Sequence, residues 1–103
     1  MKKALIKIHN IDAGIFSQHD DGSFQFDYLS DYSGPEISLT MPRSQQSYLF
    51  DSFPPFFDGL LPEGNQLEGV LKFNKIDRLD YFSQLIAVGQ DLVGAVTVSA
   101  IHE

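Results

Sequence analysis

Residues 20–28, which read DDGSFQFDY, decide the fold class of this chain. Asp20-Asp21-Gly22 predicts a tight hairpin turn, because glycine adopts the positive φ angle that such a turn requires. After the turn, Phe24, Phe26 and Tyr28 alternate with polar residues, which is the period of a β-strand with one buried face. The stretch therefore predicts an antiparallel hairpin whose second strand lies against the core.

The residues before this turn extend the hairpin into a three-stranded meander. Residues 3–8 alternate in polarity and place Ala4, Ile6 and Ile8 on one face. After a short turn, residues 14–18 supply the middle strand. We therefore expect three antiparallel strands at the N-terminal end of the chain.

The middle of the chain is less regular. Residues 37–41 alternate again and predict either a short strand or an extended segment. Five of the thirteen aromatic residues lie within residues 48–57. Pro54-Pro55 then predicts the first turn of a short helix, where a missing N–H group costs nothing, and Pro62 ends that helix.

Two further helices and a last strand complete the predicted elements. The second helix runs from about Glu63 to Asn74 along an apolar i, i+3, i+4 stripe. The third begins with Asp77 as its N-cap and ends at Gly89. The β-branched run at 92–99 predicts a strand in the centre of the sheet, covered on both faces.

This order of elements predicts an α+β fold: a mainly antiparallel sheet, made of the N-terminal meander and the C-terminal strand, with about three helices packed on one face. The length fits a single domain over residues 1–103. Apolar residues make up 43% of the chain, which supports a core, and the absence of cysteine excludes disulfide bonds.

The charge and the start of the chain indicate where the protein acts. The net charge is −7, and such an acidic surface repels phosphate backbones, so direct nucleic-acid binding is not expected. Acidity suits a basic protein partner, although it more often serves solubility alone. The first residues carry lysines without a long apolar run, and no segment approaches the ~18–20 apolar residues of a membrane span. We therefore expect a cytoplasmic protein with no membrane segment.

No group of residues predicts catalysis, a cofactor or a metal site. His9, His19 and His102 are far apart in the sequence and share no ligand spacing. Carboxylate pairs can be drawn, but none adjoins a pocket-forming motif. Phosphate loops, kinase loops and the Gly-x-Ser-x-Gly motif are absent. We predict that the chain is not an enzyme; a small enzyme would need a pocket with converging carboxylates.

Residues 56–64, which read FFDGLLPEG, form the most informative motif. They predict a short helix that packs tightly against the core, ends before Pro62 and leads into a rigid loop. Six large apolar side chains crowd this region, and a turn of about 100° per residue spreads them around a helix, so some should reach the surface and mark a partner site. They are Phe50, Phe53, Phe56, Phe57, Leu60 and Leu61. The crowding also fits a small core alone, and residues 62–66 fit either a plain connector or a rigid contact loop.

Four stretches resemble, in order, the N-terminal subdomain of HipA-family serine/threonine kinase toxins. They read AGIF at 13–16, ISLTMP at 37–42, FFDGLLPEG at 56–64 and GQDLVGAVTV at 89–98. The resemblance covers nearly the whole chain, and its Leu-Leu-Pro-Glu-Gly and Asp-x-Val-Gly-Ala-Val motifs are specific in combination. In two-gene systems this subdomain is fused to the kinase, whereas this chain ends five residues after Val98.

This chain, which is shorter than a fused kinase, is similar to HipS-like proteins, the separate small proteins of three-gene HipBST systems. That resemblance implies an antitoxin that binds and neutralises a shortened HipT-like kinase, whose target class is an aminoacyl-tRNA synthetase. A HipB-like helix-turn-helix protein would bind the operator and complete the complex. Two alternatives stay open: an excised N-terminal subdomain of a full-length HipA-type toxin, and a stand-alone binding domain without a toxin partner.

On this hypothesis, the loop after the first helix contacts the kinase. We predict that residues 61–66 reach the kinase lobe that binds nucleotide or substrate, and block access or hold the kinase inactive. Phe57, Asp58 and Leu60 would form the base of the contact. The predicted partner-binding residues are Phe57, Asp58, Leu60, Leu61, Pro62, Glu63, Asn65 and Gln66; none is predicted to be catalytic or to bind a metal.

Overall fold

The computed structural model describes residues 1–92 and 94–101. Val93, which is part of the predicted strand at 92–99, and His102, one of the three histidines, lie outside the described residues, as does Glu103. Five strands and three helices follow one another along the described part of the chain. In order they are β1 (Lys2–Ile8), β2 (Ile11–Gln18), β3 (Phe24–Tyr28), β4 (Ser47–Phe50), α1 (Pro55–Asp58), α2 (Gly64–Asn74), α3 (Tyr81–Val88) and β5 (Val96–Ile101).

The strands form one antiparallel sheet in the order β4-β3-β2-β1-β5. The predicted meander is confirmed, since β1 pairs with β2 and β2 pairs with β3, where Phe16 lies opposite Phe26. The register of β1 and β2 skips Ala13, which forms a bulge. With its three helices the molecule has the predicted α+β fold.

The core lies between the helices and one face of the sheet. Phe57 of α1 stacks on Phe16 with ring centroids 4.1 Å apart, and the ring of Phe82 in α3 lies 5.4 Å from the same residue. Burying each large apolar side chain contributes about 1.5–3 kcal/mol, so these rings hold α1 and α3 against the sheet. α2 contributes no residue to this cluster and packs mainly on α3.

The segment before α1 differs from the prediction. Residues 37–41 make one isolated bridge, Ser38 opposite Met41, and form a turn instead of a sheet strand. The Tyr28 hydroxyl holds this turn by accepting a hydrogen bond from the Ile37 N–H at 2.9 Å and donating one to the Met41 carbonyl. The edge strand β4 was not predicted, because its few residues lie inside the aromatic run that indicated only a helix start.

α3 begins later than predicted, since Asp80 is its N-cap and Asp77 is not. The Asp80 carboxylate accepts hydrogen bonds from the Ser83 N–H at 3.1 Å and from the Ser83 hydroxyl at 2.7 Å. Asp77 accepts from the Leu79 N–H at 2.8 Å and closes the turn that precedes the helix. Aspartate favours both positions, so the residue type alone could not separate a cap from a turn.

β5 lies at an edge of the sheet, and the prediction of a central strand was wrong. Among the described strands it pairs with β1 alone, with Val98 opposite Ile6. The Val98 N–H donates to the Gly89 carbonyl at 3.0 Å, and the Gln90 amide donates to the Val98 carbonyl at 3.2 Å. These bonds occupy the outward-facing N–H and carbonyl groups of Val98, at the middle of the strand's outer edge. A β-branched run signals burial without specifying which element provides it.

Candidate partner-binding site

The site is built on α1, a single turn whose start is fixed by two prolines. Pro54 is buried just before the helix, and Pro55 stands at its start, where proline needs no hydrogen-bond partner for its nitrogen. Phe57 is 0% exposed and lies against Phe16 and Phe26, with ring centroids 4.1 and 6.1 Å away. α1 is therefore held firmly on the sheet.

The chain leaves α1 through tight turns. The Leu60 N–H donates to the Phe57 carbonyl and the Leu61 N–H donates to the Asp58 carbonyl, both at 3.1 Å. Both leucine side chains pack on the margin of the core and remain half-buried. Pro62 then fixes its own φ angle, so this part of the loop has few alternative conformations.

The loop ends where α2 begins. Glu63 is extended, with φ −128° and ψ 164°, and its side chain does not cap the helix. Gly64 has a φ of +58°, which side-chain-bearing residues rarely adopt, so the position favours glycine. Asn65 and Gln66 follow in the exposed first turn of α2.

The structure places the predicted site residues at three depths. Phe57 is buried and cannot touch a partner, so it serves to position α1. Leu60, Leu61 and Pro62 are half-buried and show part of their surface to solvent. The remaining predicted residues, which are Asp58, Glu63, Asn65 and Gln66, are exposed. The expected apolar surface is partial: of the six crowded side chains Phe57 is buried and the other five are half-buried.

The electrostatics of the site are acidic. No lysine or arginine occurs from residue 44 to residue 71, while four acidic residues do, including Asp58 and Glu63 in the loop region. Glu68 on α2 is paired with Arg78. The tyrosines whose pKa is shifted lie outside the loop: burial raises the pKa of Tyr28, whose hydroxyl donates to the Met41 carbonyl, and burial also raises the pKa of Tyr32.

The arrangement offers contacts to a partner: a half-buried apolar base, an acidic rim and a stiff backbone. Within residues 1–92 and 94–101, no group of three or more histidine, aspartate or glutamate side chains lies close enough together to hold a metal ion. None of the helices in that part of the chain combines the length and apolar content that crossing a bilayer requires.

One surface beside the loop was not predicted. A groove of about 470 Å³ opens between α2 and α3, with Gln66 among its lining residues, and Phe73 on its α2 side is 89% exposed. Phe73 lies about 200° around the helix from the buried Leu71, at about 100° per residue. It follows Val70 by three residues and so widens the apolar stripe of Leu67, Val70 and Leu71 away from the core side, and this widening is the sequence signal that could have identified it.

Comparison with known proteins identifies the family. Residues 4–99 match the family model of the HipA N-terminal domain. An uncharacterized protein of Haemophilus influenzae is 33% identical over 81 residues, which are 79% of this chain and 76% of that protein. A solved structure described as the N-terminal domain of HipA toxin is similar with a TM-score of 0.81 and 25% identity, over 100% of this chain and 95% of that one.

These matches bear directly on the predicted site and fold. The family match spans the loop between α1 and α2 together with the helices on either side of it. The matched domain is not the catalytic part of the kinase. Both the predicted family resemblance and the predicted fold class are confirmed. This chain belongs to the HipA N-terminal domain family.

Proposed function

We propose that this protein is an antitoxin that binds and inhibits a HipA-type serine/threonine kinase toxin, as HipS-like proteins do with HipT-like kinases. One observation carries the proposal: buried Phe57 holds α1 in the core, and a stiff loop projects from it with exposed side chains at Glu63, Asn65 and Gln66. The family supplies the class of partner, because this domain is otherwise the N-terminal part of the toxin.

The loop suits binding because it is ordered before the partner arrives. Pro62 restricts the backbone in its middle, and Gly64 with its φ of +58° sets the angle at which α2 departs. A preorganised loop loses little conformational entropy on association, so more of the contact energy remains as affinity. Inhibition then needs only contact, with no chemistry performed by this chain.

The acidic rim indicates where on the kinase the loop binds. A kinase holds its nucleotide phosphates in a basic cleft, and Asp58 and Glu63 present carboxylates that complement such a cleft. Residues 61–66 would enter or cover this cleft, or would stabilise an inactive arrangement of the kinase lobes. A HipB-like DNA-binding protein would complete the complex in the cytoplasm, and this chain would not touch nucleic acid.

The relatives support two readings of the chain. The 81 residues matched in the Haemophilus influenzae protein make up 76% of it, so that relative is itself of single-domain length, which favours a separate antitoxin. The similarity to a domain of HipA toxin favours the second candidate, an N-terminal subdomain of a full-length kinase.

Co-expression with the kinase-like protein expected to be encoded beside this chain tests the proposal. We expect a stable complex on pull-down and rescue of growth from the kinase. Replacing Glu63 and Asn65 together by alanine should weaken both, because these side chains are exposed and their loss leaves the core intact. A variant that also carries Leu61→Ala removes the apolar contact, and its fold should be checked because Leu61 is half-buried.

Asp12→Ala is the matched control, since Asp12 is an exposed acid that pairs with Lys7 rather than lying in the loop. It removes the same charge and should leave rescue unchanged. Full inhibition by the folded Glu63/Asn65 variant would remove the loop from the mechanism. Absence of any complex with the wild-type chain would favour an excised toxin subdomain or an unrelated binding domain.

A further inference from the structure

α2 is attached to the rest of the molecule along one side only. Leu71 is its one buried residue, and it lies outside the main apolar cluster. The helix packs mainly on α3, and Glu68 in its middle forms an exposed ion pair with Arg78. A helix held in this way leaves the rest of its circumference open to a partner.

The groove between α2 and α3 is lined mostly by uncharged residues. The groove has a volume of about 470 Å³. Its lining residues from α2 include Gln66, Gly69, Val70 and Phe73. The charged residues Glu68 and Lys72 are about 100–160° around the helix from Gln66 and Phe73, at about 100° per residue. The groove face of α2 is therefore apolar and amide-bearing along its whole length.

Gly69 and Phe73 make this face a hole beside a knob. They stand four residues apart, so they are neighbours on the helix surface. A Cβ at Gly69 would meet no atom within 4 Å, and Phe73 is 89% exposed. Glycine weakens a helix interior and an exposed phenylalanine gains little from folding. Neither residue therefore serves the isolated domain, whereas both would serve close approach by another chain.

Charge and size identify the occupant. Asp91 lies on the α3 side and, among the described residues that line the groove, is the ionisable one. α2 has 11 residues, so the groove is about 16 Å long and covers only a few hundred Å², well below the ~800 Å² per partner of a stable interface. A second copy bound through this groove alone would be held weakly. An occupant that also contacts the loop, which shares Gln66 with the groove, would bury a larger area than the groove alone offers.

We propose that the α2–α3 groove is a second part of the kinase-binding surface, continuous with the 61–66 loop, and that it takes a kinase segment with an apolar side chain and a lysine or arginine. The apolar side chain lies over Gly69 beside Phe73, and the cation pairs with Asp91. This inference rests on the proposed function, because it takes the kinase as the partner of the loop.

The affinity of the full chain for the kinase-like partner tests the groove. Phe73→Ser and Gly69→Ala should each weaken binding about tenfold or more, as expected for residues at the centre of an interface. Asp91→Asn should weaken binding several-fold at low salt and less at high salt, because a single exposed ion pair is screened. Leu39→Ser is the control, since Leu39 is also 89% exposed and lies outside the groove.

Thermal unfolding of each variant separates binding from folding. Gly69→Ala should not lower the stability of the domain, because the added methyl meets open space and alanine favours the helix. If the kinase binds the wild-type chain and the groove variants equally, the groove inference is overturned while the proposed function stands. If the wild-type chain does not bind, both fail. If the wild-type chain forms a dimer that Phe73→Ser dissolves, the groove holds a second copy and the kinase assignment is overturned.

Discussion

At the scale of single residues, burial separates the roles of neighbouring side chains. Phe57 is buried against Phe16, while Phe56 beside it is half-buried and meets Phe57 edge-on at 5.1 Å. Both belong to the same motif, and the sequence could not say which of them pointed inward. Asp58, the next residue, is exposed. One turn of helix thus joins an anchor in the core to a group that a partner can reach.

Gly89 and Gly69 give a prediction at this scale. A Cβ on Gly89 would lie 2.0 Å from the Val98 carbonyl oxygen, so Gly89→Ala must displace β5 or the segment that closes its edge. We expect a loss of about 1–3 kcal/mol in the free energy of unfolding, measured by urea denaturation. Gly69→Ala is the matched control and should be neutral or stabilising by up to about 1 kcal/mol. Equal stability of the two variants would contradict the close approach seen at Gly89.

At the scale of the elements, α3 depends on a cap that responds to pH. Burial alone would raise the pKa of Asp80, but hydrogen bonds from Ser83 and the Lys2 ammonium 3.5 Å away outweigh it and lower the pKa below its ordinary value of 3.8. The ionised cap is therefore favoured in the folded state. Its contribution is fully present above the ordinary pKa and is lost as the pH falls through the lowered one.

Asp80→Ala should accordingly cost about 1 kcal/mol of stability near neutral pH. The difference in the free energy of unfolding between the wild-type chain and this variant should shrink as the pH falls below 3.8, because the wild-type cap becomes protonated. Urea denaturation from pH 7 to acid measures this difference. Asp80→Asn keeps a capping oxygen without titrating, so its stability relative to Asp80→Ala should not change with pH. If the stability difference between the wild-type chain and Asp80→Ala stays constant down to acidic pH, the ionised Asp80 cap is not the source of that difference.

At the scale of the whole molecule, charge should govern encounter with the partner. The chain carries a net charge of −7, and the span that includes the loop has no lysine or arginine. If the partner presents a basic phosphate-binding cleft, its association rate with this chain should be high at low salt and fall as salt rises. Stopped-flow mixing at several salt concentrations measures this rate.

Glu63→Gln should flatten the salt dependence more than Asp12→Asn, which removes a charge outside the loop. An association rate that does not change from low to high salt would contradict electrostatic steering. It would leave the apolar and backbone contacts of the loop as the basis of recognition.

The sequence by itself determined the local structure. Turn residues and the two-residue period defined the meander, and Pro54-Pro55 set the start of α1. Pro62 predicted that the helix would end near Leu61, but it ends at Asp58 and two turns follow before Pro62. The motif at 56–64 identified the loop and the family, because its residues impose a backbone path that few sequences share. These features depend on neighbours in the chain, which the sequence lists directly.

Only the tertiary structure decided which elements lie side by side. β5 could be predicted as a strand but not as an edge strand. Its neighbours are β1 and the segment at Gly89, and a periodic pattern within β5 does not show which distant segments it pairs with. Asp77 and Asp80 were equally suited to a cap by residue type, and the structure shows that Asp80 caps the helix. The groove needs α2 and α3 to meet, so Phe73, Gly69 and Asp91 become one surface only when long-range packing brings the two helices together.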